Sequence, residues 1–118
     1  MTSQVAALEP VTLEVKMATI RAYSELTDDF NPIHLDPEFA ASTPMGGIIA
    51  HGTMSMCLLY QMLQRNLGAA AFAALDIDVR FLRPVREGEV LTAGGAANSC
   101  LPAFAPRLRL NQQAFWPT

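Results

Sequence analysis

Charge is scarce in this sequence. Asp, Glu, Lys and Arg make up 16% of its 118 residues and hydrophobic residues 51%; soluble domains typically carry about 25% charge. A chain of this length forms one domain, residues 1–118, and buries roughly two thirds of its unfolded surface. One small core cannot hide so much apolar surface, so part of it is expected at a subunit interface. A basic excess is missing too: the net charge of −3 argues against a nucleic-acid binder, which would be expected to show a basic patch. Cysteine is limited to Cys57 and Cys100. Their spacing fits no metal site, and Cys57 falls in an apolar run, so both read as free thiols in a reducing compartment. No run reaches the ~18 apolar residues of a membrane span. The Met1-Thr2-Ser3-Gln4 start has neither the basic region nor the apolar stretch of a signal peptide. A cytoplasmic protein without membrane contact is expected. A Gly-rich phosphate loop, internal repeats and low-complexity tracts are also missing.

What the sequence does contain is concentrated between residues 23 and 67. The chain's two histidines, His34 and His51, both lie there. Asp29 and His34 stand five residues apart, with Pro32 between them blocking a helix and biasing Asn31 towards an extended conformation. Such a bent, stiff loop can turn a carboxylate and an imidazole towards one point, as acid/base chemistry requires. Turn chemistry alone also accounts for Asp and Asn in a loop. Asp36-Pro37-Glu38 reads as a helix start, with Asp at the N-cap, Pro at the first position and an acid in the first turn. That role competes with a metal reading, in which His34, Asp36 and His51 would form a two-histidine, one-carboxylate set. The short helix is expected to stop near Ser42, ahead of Pro44 and Gly46-Gly47.

Residues 53–67 form the longest helix candidate, closed by Gly68. Met54, Met56, Cys57, Leu58, Leu59, Tyr60, Met62 and Leu63 leave it almost no polar face, which predicts burial on all sides. Its first turn carries unpaired N–H groups and a partial positive charge, and Gly52 lets a ligand approach that backbone. His51 serves equally well as a hydrogen-bond partner of loop or core.

Strict alternation places strands at residues 11–17 and 75–81, and a third begins at residues 90–93. Thr19 is expected to cap a helix running to about Leu26. Arg80, Arg83 and Arg86 put three positive charges in seven residues, among Asp76, Asp78, Glu87 and Glu89. They read as scattered surface charges or as contacts for an anionic phosphate group. From about residue 94 the pattern becomes atypical. Residues 94–102 are mostly small and make a poor strand. Residues 107–110 alternate, and Phe115-Trp116 opens a return strand cut short by Pro117. The order of elements predicts an α+β domain with an antiparallel sheet.

The run Tyr23-Ser24-Glu25-Leu26-Thr27-Asp28-Asp29-Phe30-Asn31-Pro32-Ile33-His34, with Ala40 beyond it, resembles the signature of the MaoC-like, (R)-specific enoyl-CoA hydratases. Ile49-Ala50-His51-Gly52, and Phe81-Leu82-Arg83-Pro84-Val85 with Gly88, are similar to two further features of that family. Asp28 departs from it, standing where the family usually has Gly. A residue with a Cβ is strained there if φ is positive, although Asp tolerates that region better than most. The resemblance implies a hot-dog fold, in which an antiparallel sheet wraps the long buried helix, and a homodimer with its sites near the interface. It implies reversible hydration of a trans-2-enoyl thioester to the (R)-3-hydroxyacyl thioester, on coenzyme A or an acyl carrier protein, without metal or redox cofactor. Asp29 and His34 would hold the water, Asn31 would brace the loop, and Gly52 and His51 would bind the substrate, the Gly52 N–H holding the thioester oxygen. A hot-dog thioesterase is the first alternative; it more often carries an acid on the buried helix, and residues 53–67 carry none. A non-catalytic acyl-binding or partner subunit is the second, favoured by Asp28 and by the unusual C-terminal tail, which reads as truncated or altered.

Overall fold

The protein is described from a computed structural model covering residues 5–98 and 115–117. Strand β1 (Val5–Glu14) leads into helices α1 (Met17–Thr27), α2 (Pro32–Leu35), α3 (Pro37–Ser42) and α4 (Gly52–Leu67). A 3-10 helix (Ala69–Ala74) follows, then strands β2 (Val90–Asn98) and β3 (Phe115–Pro117). The strands form an antiparallel sheet in the order β1-β2-β3, with Val11 opposite Ala93 and Thr92 opposite Trp116.

The β1–β2 register shifts between Leu8 and Val11. Pro10 sits in that irregularity, where its missing N–H breaks no ladder bond. Asn66, near the end of α4, ties the helix to the same place: its Oδ1 accepts from Glu9 N–H at 2.7 Å and its Nδ2 donates to Glu9 O at 2.9 Å. The core lies where α4 crosses β1 and β2, with Val15, Ile20, Leu59, Met62, Leu63 and Leu91 almost wholly buried.

Several sequence expectations are corrected. Helix α1 begins at Met17 with Lys16 as its uncapped N-cap, so Thr19 lies inside the first turn and β1 ends sooner than alternation suggests. Helix α4 is buried along one face only: Met54, Ser55, Leu58, Leu59, Met62 and Leu63 point inward, while Cys57, Tyr60 and Gln61 are exposed. The sheet covers one side of the helix, and apolar composition does not say which side. Residues 75–81 alternate in burial as predicted, with Leu75, Ile77 and Val79 against the core and Asp76, Asp78 and Arg80 outward, although Phe81 is exposed. They nonetheless form no strand among the described residues. Alternation reports which side chains are covered; a ladder also needs a partner backbone. Conversely, β2 runs on through Gly94 and Gly95 to Asn98, paired with Val5–Leu8 of β1. A Cβ on Gly94 would rest in ordinary contact with Pro10 Cβ, at 3.7 Å. The return strand at Phe115 is present, whereas residues 107–110 lie outside the described part.

Candidate active site

The site is assembled by the loop from Asp28 to Asp36 and by the start of α4. Asp28 closes α1 in the left-handed region (φ 56°, ψ 33°), its N–H donating to Ser24 O. It is the position where a Gly was expected, and the positive φ explains that expectation; among the described residues no other non-Gly residue has one. Asp29 follows, its N–H also donating to Ser24 O at 3.1 Å. Its Oδ1 accepts from Asn31 N–H at 3.2 Å. Asn31 in turn caps α2, its Oδ1 accepting from Ile33 N–H at 3.1 Å. Asp36 caps α3 through Glu38 and Phe39 N–H. It is therefore engaged as a cap, the role that competes with the metal reading of His34, Asp36 and His51.

His34 is brought inward by the turn of α2 and is 9% exposed. Its Nδ1 lies 2.7 Å from Ile49 O. A carbonyl only accepts, so Nδ1 carries the proton and Nε2 keeps a free lone pair. Ile49 is held in place because Ala50 N–H donates to Val85 O at 2.7 Å. His51 is 3% exposed and stacks on His34, with ring centroids 3.8 Å apart and planes 25° apart. Burial, chiefly, holds its pKa below the ordinary histidine value; its bond to the Asp29 carbonyl opposes this and His34 reinforces it. Tyr23 packs against the edge of His51 with centroids 4.9 Å apart and donates its hydroxyl to Thr53 Oγ1 at 2.7 Å. Burial raises the Tyr23 pKa above its usual value.

A carboxylate oxygen of Asp29 and one ring nitrogen each of His34 and His51 lie within 4.8 Å of one another. A tetrahedral water making two hydrogen bonds of ~2.8 Å holds its partners about 4.6 Å apart. The separation suits a shared water. It suits a metal poorly, because one ion cannot lie in the planes of two stacked imidazoles at the ~2.1 Å of a metal–nitrogen bond.

Beside this cluster lies a cavity of about 380 Å³. Its walls include Ile49, Phe81, Leu82, Pro84 and Val85; His51 and Gly52 line it, while Asp29 and His34 stand outside its lining. Gly52 and Thr53 open α4, so their N–H groups have no intrahelical carbonyl to bond. A Cβ on Gly52 would rest in ordinary contact with the Phe81 ring, at 3.6 to 3.9 Å. Arg80 and Arg83 also line the cavity. Arg83 pairs with Glu89 at 3.2 Å, and Glu89 also accepts from Arg86 N–H, so this acid locally offsets the basic cluster.

The family model for the MaoC like domain matches residues 3–100. The chain belongs to the MaoC-like domain family. A 3-hydroxybutyryl-CoA dehydratase of Methylorubrum extorquens is 33% identical to this MaoC-like chain over 88 residues, covering 75% of the chain and 56% of that relative. An (R)-specific enoyl-CoA hydratase of Aeromonas caviae is 37% identical over 76 residues, covering 64% of the chain and 57% of that relative. The MaoC-like chain thus spans little more than half the length of these curated relatives. Among solved structures, the (R)-hydratase of A. caviae superposes with a TM-score of 0.63 at 30% identity, covering 80% of the chain and 69% of that structure. The unliganded R-hydratase of Pseudomonas aeruginosa gives 0.68 at 24% identity, covering 84% and 71%, and shows the fold alone. The fold is the hot-dog fold of these MaoC-like hydratases.

Of the residues singled out in the sequence, Asp29, His34 and His51 come within 4.8 Å of one another, Asn31 is bonded to Asp29, and Gly52 lines the cavity with His51. Sequence reasoning missed Ser24 and Tyr23. Ser24 is wholly buried with its Oγ 3.1 Å from His51 Nε2, and Tyr23 edges the same ring. Both stand within the signature run, but nothing local marks a helical Ser or Tyr as facing a histidine nearly thirty residues away.

Proposed function

We propose that this chain catalyses the reversible hydration of a trans-2-enoyl thioester, on coenzyme A or an acyl carrier protein, to the (R)-3-hydroxyacyl thioester. The observation that carries this reading is the approach of the Asp29 carboxylate to the His34 and His51 imidazoles, within 4.8 Å and beside an apolar cavity at a helix N-terminus. The activities named for the A. caviae and M. extorquens relatives support it.

In this mechanism Asp29 and His34 hold one water. His34 Nε2 takes a proton from it as the oxygen attacks C3. Charge develops on the thioester oxygen, where the Gly52 N–H at the start of α4 stabilises it; preorganised donors of this kind act where charge appears in the transition state. The proton taken by His34 is then returned to C2, so H and OH add across the double bond and the pair is restored. Asn31 holds the Asp29 carboxylate and caps α2, and His51, stacked on His34, lines the cavity. Carbon is neither oxidised nor reduced overall, so the chemistry calls for no redox cofactor, and with proton transfer assigned to Asp29 and His34 and oxyanion stabilisation to the Gly52 N–H it needs no metal. The exposed apolar side chains Leu26 (79%), Phe30 (53%) and Leu82 (63%) support a homodimer that covers them. Light scattering at micromolar concentration should then give a dimer or larger.

The deciding experiment incubates the pure protein with crotonyl-CoA and follows enoyl absorbance separately from free thiol. Enoyl loss without thiol is expected. Thiol release would point to a thioesterase, and no change in either signal to an acyl-binding subunit.

A further inference from the structure

We infer that His51 and Ser24 are positioning residues: His51, held as its Nε2–H tautomer, pins the Asp29 peptide and backs the His34 ring, and Ser24 anchors it to α1. This rests on the hydration reading for its effect on rate, while the clamp itself is observable without turnover.

Asp29 is held on both sides of its own Cα. Its N–H donates to Ser24 O at 3.1 Å, and its C=O lies 3.2 Å from His51 Nε2. The carbonyl can only accept, so Nε2 must carry hydrogen. Ser24 Oγ, at 3.1 Å, shares that N–H. Ser24 therefore meets the site twice, through its carbonyl to Asp29 and through its hydroxyl to His51, and it is fully buried. With its backbone fixed this way, Asp29 can place its carboxylate by side-chain rotation alone.

The other nitrogen of His51 fits the same tautomer. Nδ1 is buried and has no hydrogen-bond partner among the described residues. An N–H there would have no acceptor, a larger penalty for an imidazolium than for a bare lone pair. The groups facing the ring are His34 on its face, Tyr23 at its edge and the Asp29 carboxylate at 4.0 Å. Of these only Asp29 favours a charged His51, and burial outweighs it. His34, bonded through Nδ1–H to Ile49 O, has the opposite tautomer. The two stacked imidazoles thus divide the work: His51 spends its N–H on the Asp29 peptide, and His34 keeps Nε2 free for the water.

The chain has two histidines, so a long-range ¹H–¹⁵N spectrum of the whole protein resolves both rings. At about pH 7, near the ordinary imidazole range, one Nδ1–H and one Nε2–H pattern are expected, and His34→Ala should remove the Nδ1–H pattern. In turnover, His51→Phe keeps a ring over His34 but loses the donor. It should lower kcat by about 10–100-fold with KM within about twofold, the pattern of a group acting on the transition state. His51→Gln restores a donor and should recover much of the loss; a merely structural aromatic would favour Phe instead. Ser24→Ala should cost roughly 3–10-fold, in keeping with one shared neutral hydrogen bond. A His51 Nδ1–H or imidazolium signal in an active protein overturns the clamp and leaves hydration standing. The expected tautomers in an inactive wild type overturn hydration and leave the clamp. Should His51→Phe fail to fold, the wild-type spectrum and Ser24→Ala decide the matter.

Discussion

Two stretches border the candidate site and are held by opposite means. Residues 28–36 are fixed by bonds of short reach: Asp28 and Asp29 N–H to Ser24 O, Asp29 to Asn31, Asn31 to Ile33, Asp36 to Glu38 and Phe39. None of these spans more than five residues; two longer bonds, from His34 Nδ1 to Ile49 O and from His51 Nε2 to Asp29 O, tie the stretch to the segment before α4. Residues 75–86 are held mainly by packing, with Leu75, Ile77 and Val79 against the core and one isolated bridge from Arg86 to Ile49, and residues 80–85 of that stretch line the cavity. The first stretch is a rigid bracket whose exposed surface does not weaken it. The second depends on what lies next to it. At this site polar bonds, local ones and those to Ile49 and His51, set the backbone of the first stretch, and apolar packing sets the second.

The largest expected effect breaks the bracket's chemistry without touching its shape. Asp29→Asn and His34→Ala should each reduce crotonyl-CoA hydration by roughly 10²–10⁴-fold, the usual range for a positioned acid or base. Because both groups act on one water, the double variant should lose far less than the product of the single losses. Full activity in either single variant removes that residue from the mechanism.

Next comes the contact of the second stretch with the start of α4, at Gly52 and Phe81. Loss of one oxyanion donor typically costs about 10²–10³-fold. Gly52→Val would push methyl groups against the Phe81 ring, since a Cβ at position 52 would already lie 3.6 Å from that ring, and would crowd the thioester oxygen. Gly52→Ala fits in ordinary contact, so its melting midpoint should change little and its turnover should fall between wild type and Gly52→Val. Normal turnover in folded Gly52→Val would move the oxyanion role to another donor.

The same contrast explains what could be read from the sequence. The Asp-Pro-Glu cap of α3 was legible within a few residues; Pro32, read as blocking a helix, instead opens α2 at its first position behind the Asn31 cap, and the left-handed turn at Asp28 was legible only as a condition. The family resemblance of Tyr23–His34 added roles that turn chemistry could not supply. Helix α4 was legible in extent from its periodicity and Gly68, but its covered face depended on where β1 and β2 lie. Residues 75–81 were legible in burial and not in pairing, and the β2 extension through Gly94 was hidden because backbone ladders do not need large side chains. Ser24 was invisible for the same reason: its partner His51 is distant in sequence.

A smaller effect concerns stability and pH. The folded-state pKa of His51 lies below its unfolded value near 6.5, mainly through burial. Above that unfolded value the ring is neutral in both states. As pH falls from there through the folded pKa, the unfolded state binds the proton more readily, and stability is lost. Urea unfolding of His51→Gln should therefore show a shallower decline than wild type across that window. Equal slopes would mean that His51 is not buried as neutral imidazole.

The smallest expected effect is a gain, and it tests the bracket at its hinge. Asp28 sits at φ 56°, ψ 33°, where a Cβ crowds the backbone, and its N–H closes α1 on Ser24 O. Asp28→Gly removes that crowding, which costs ordinary residues about 1–2 kcal/mol and Asp less. Against this, Gly adds freedom to the unfolded chain worth about 0.4–1 kcal/mol. The difference leaves a net gain of up to about 0.5 kcal/mol, equivalent to roughly 2–4 °C in the melting midpoint of a domain of this size. Asp28→Val should move the midpoint the other way, because a β-branched side chain tolerates the left-handed region worst. Hydration by Asp28→Gly should match wild type, since the N–H to Ser24 and the Asp29 peptide bonds do not depend on the side chain at 28. A lower midpoint for Asp28→Gly than for Asp28→Val would show that the chain does not turn through the left-handed region here, and the geometry placing Asp29 opposite His34 would fail with it.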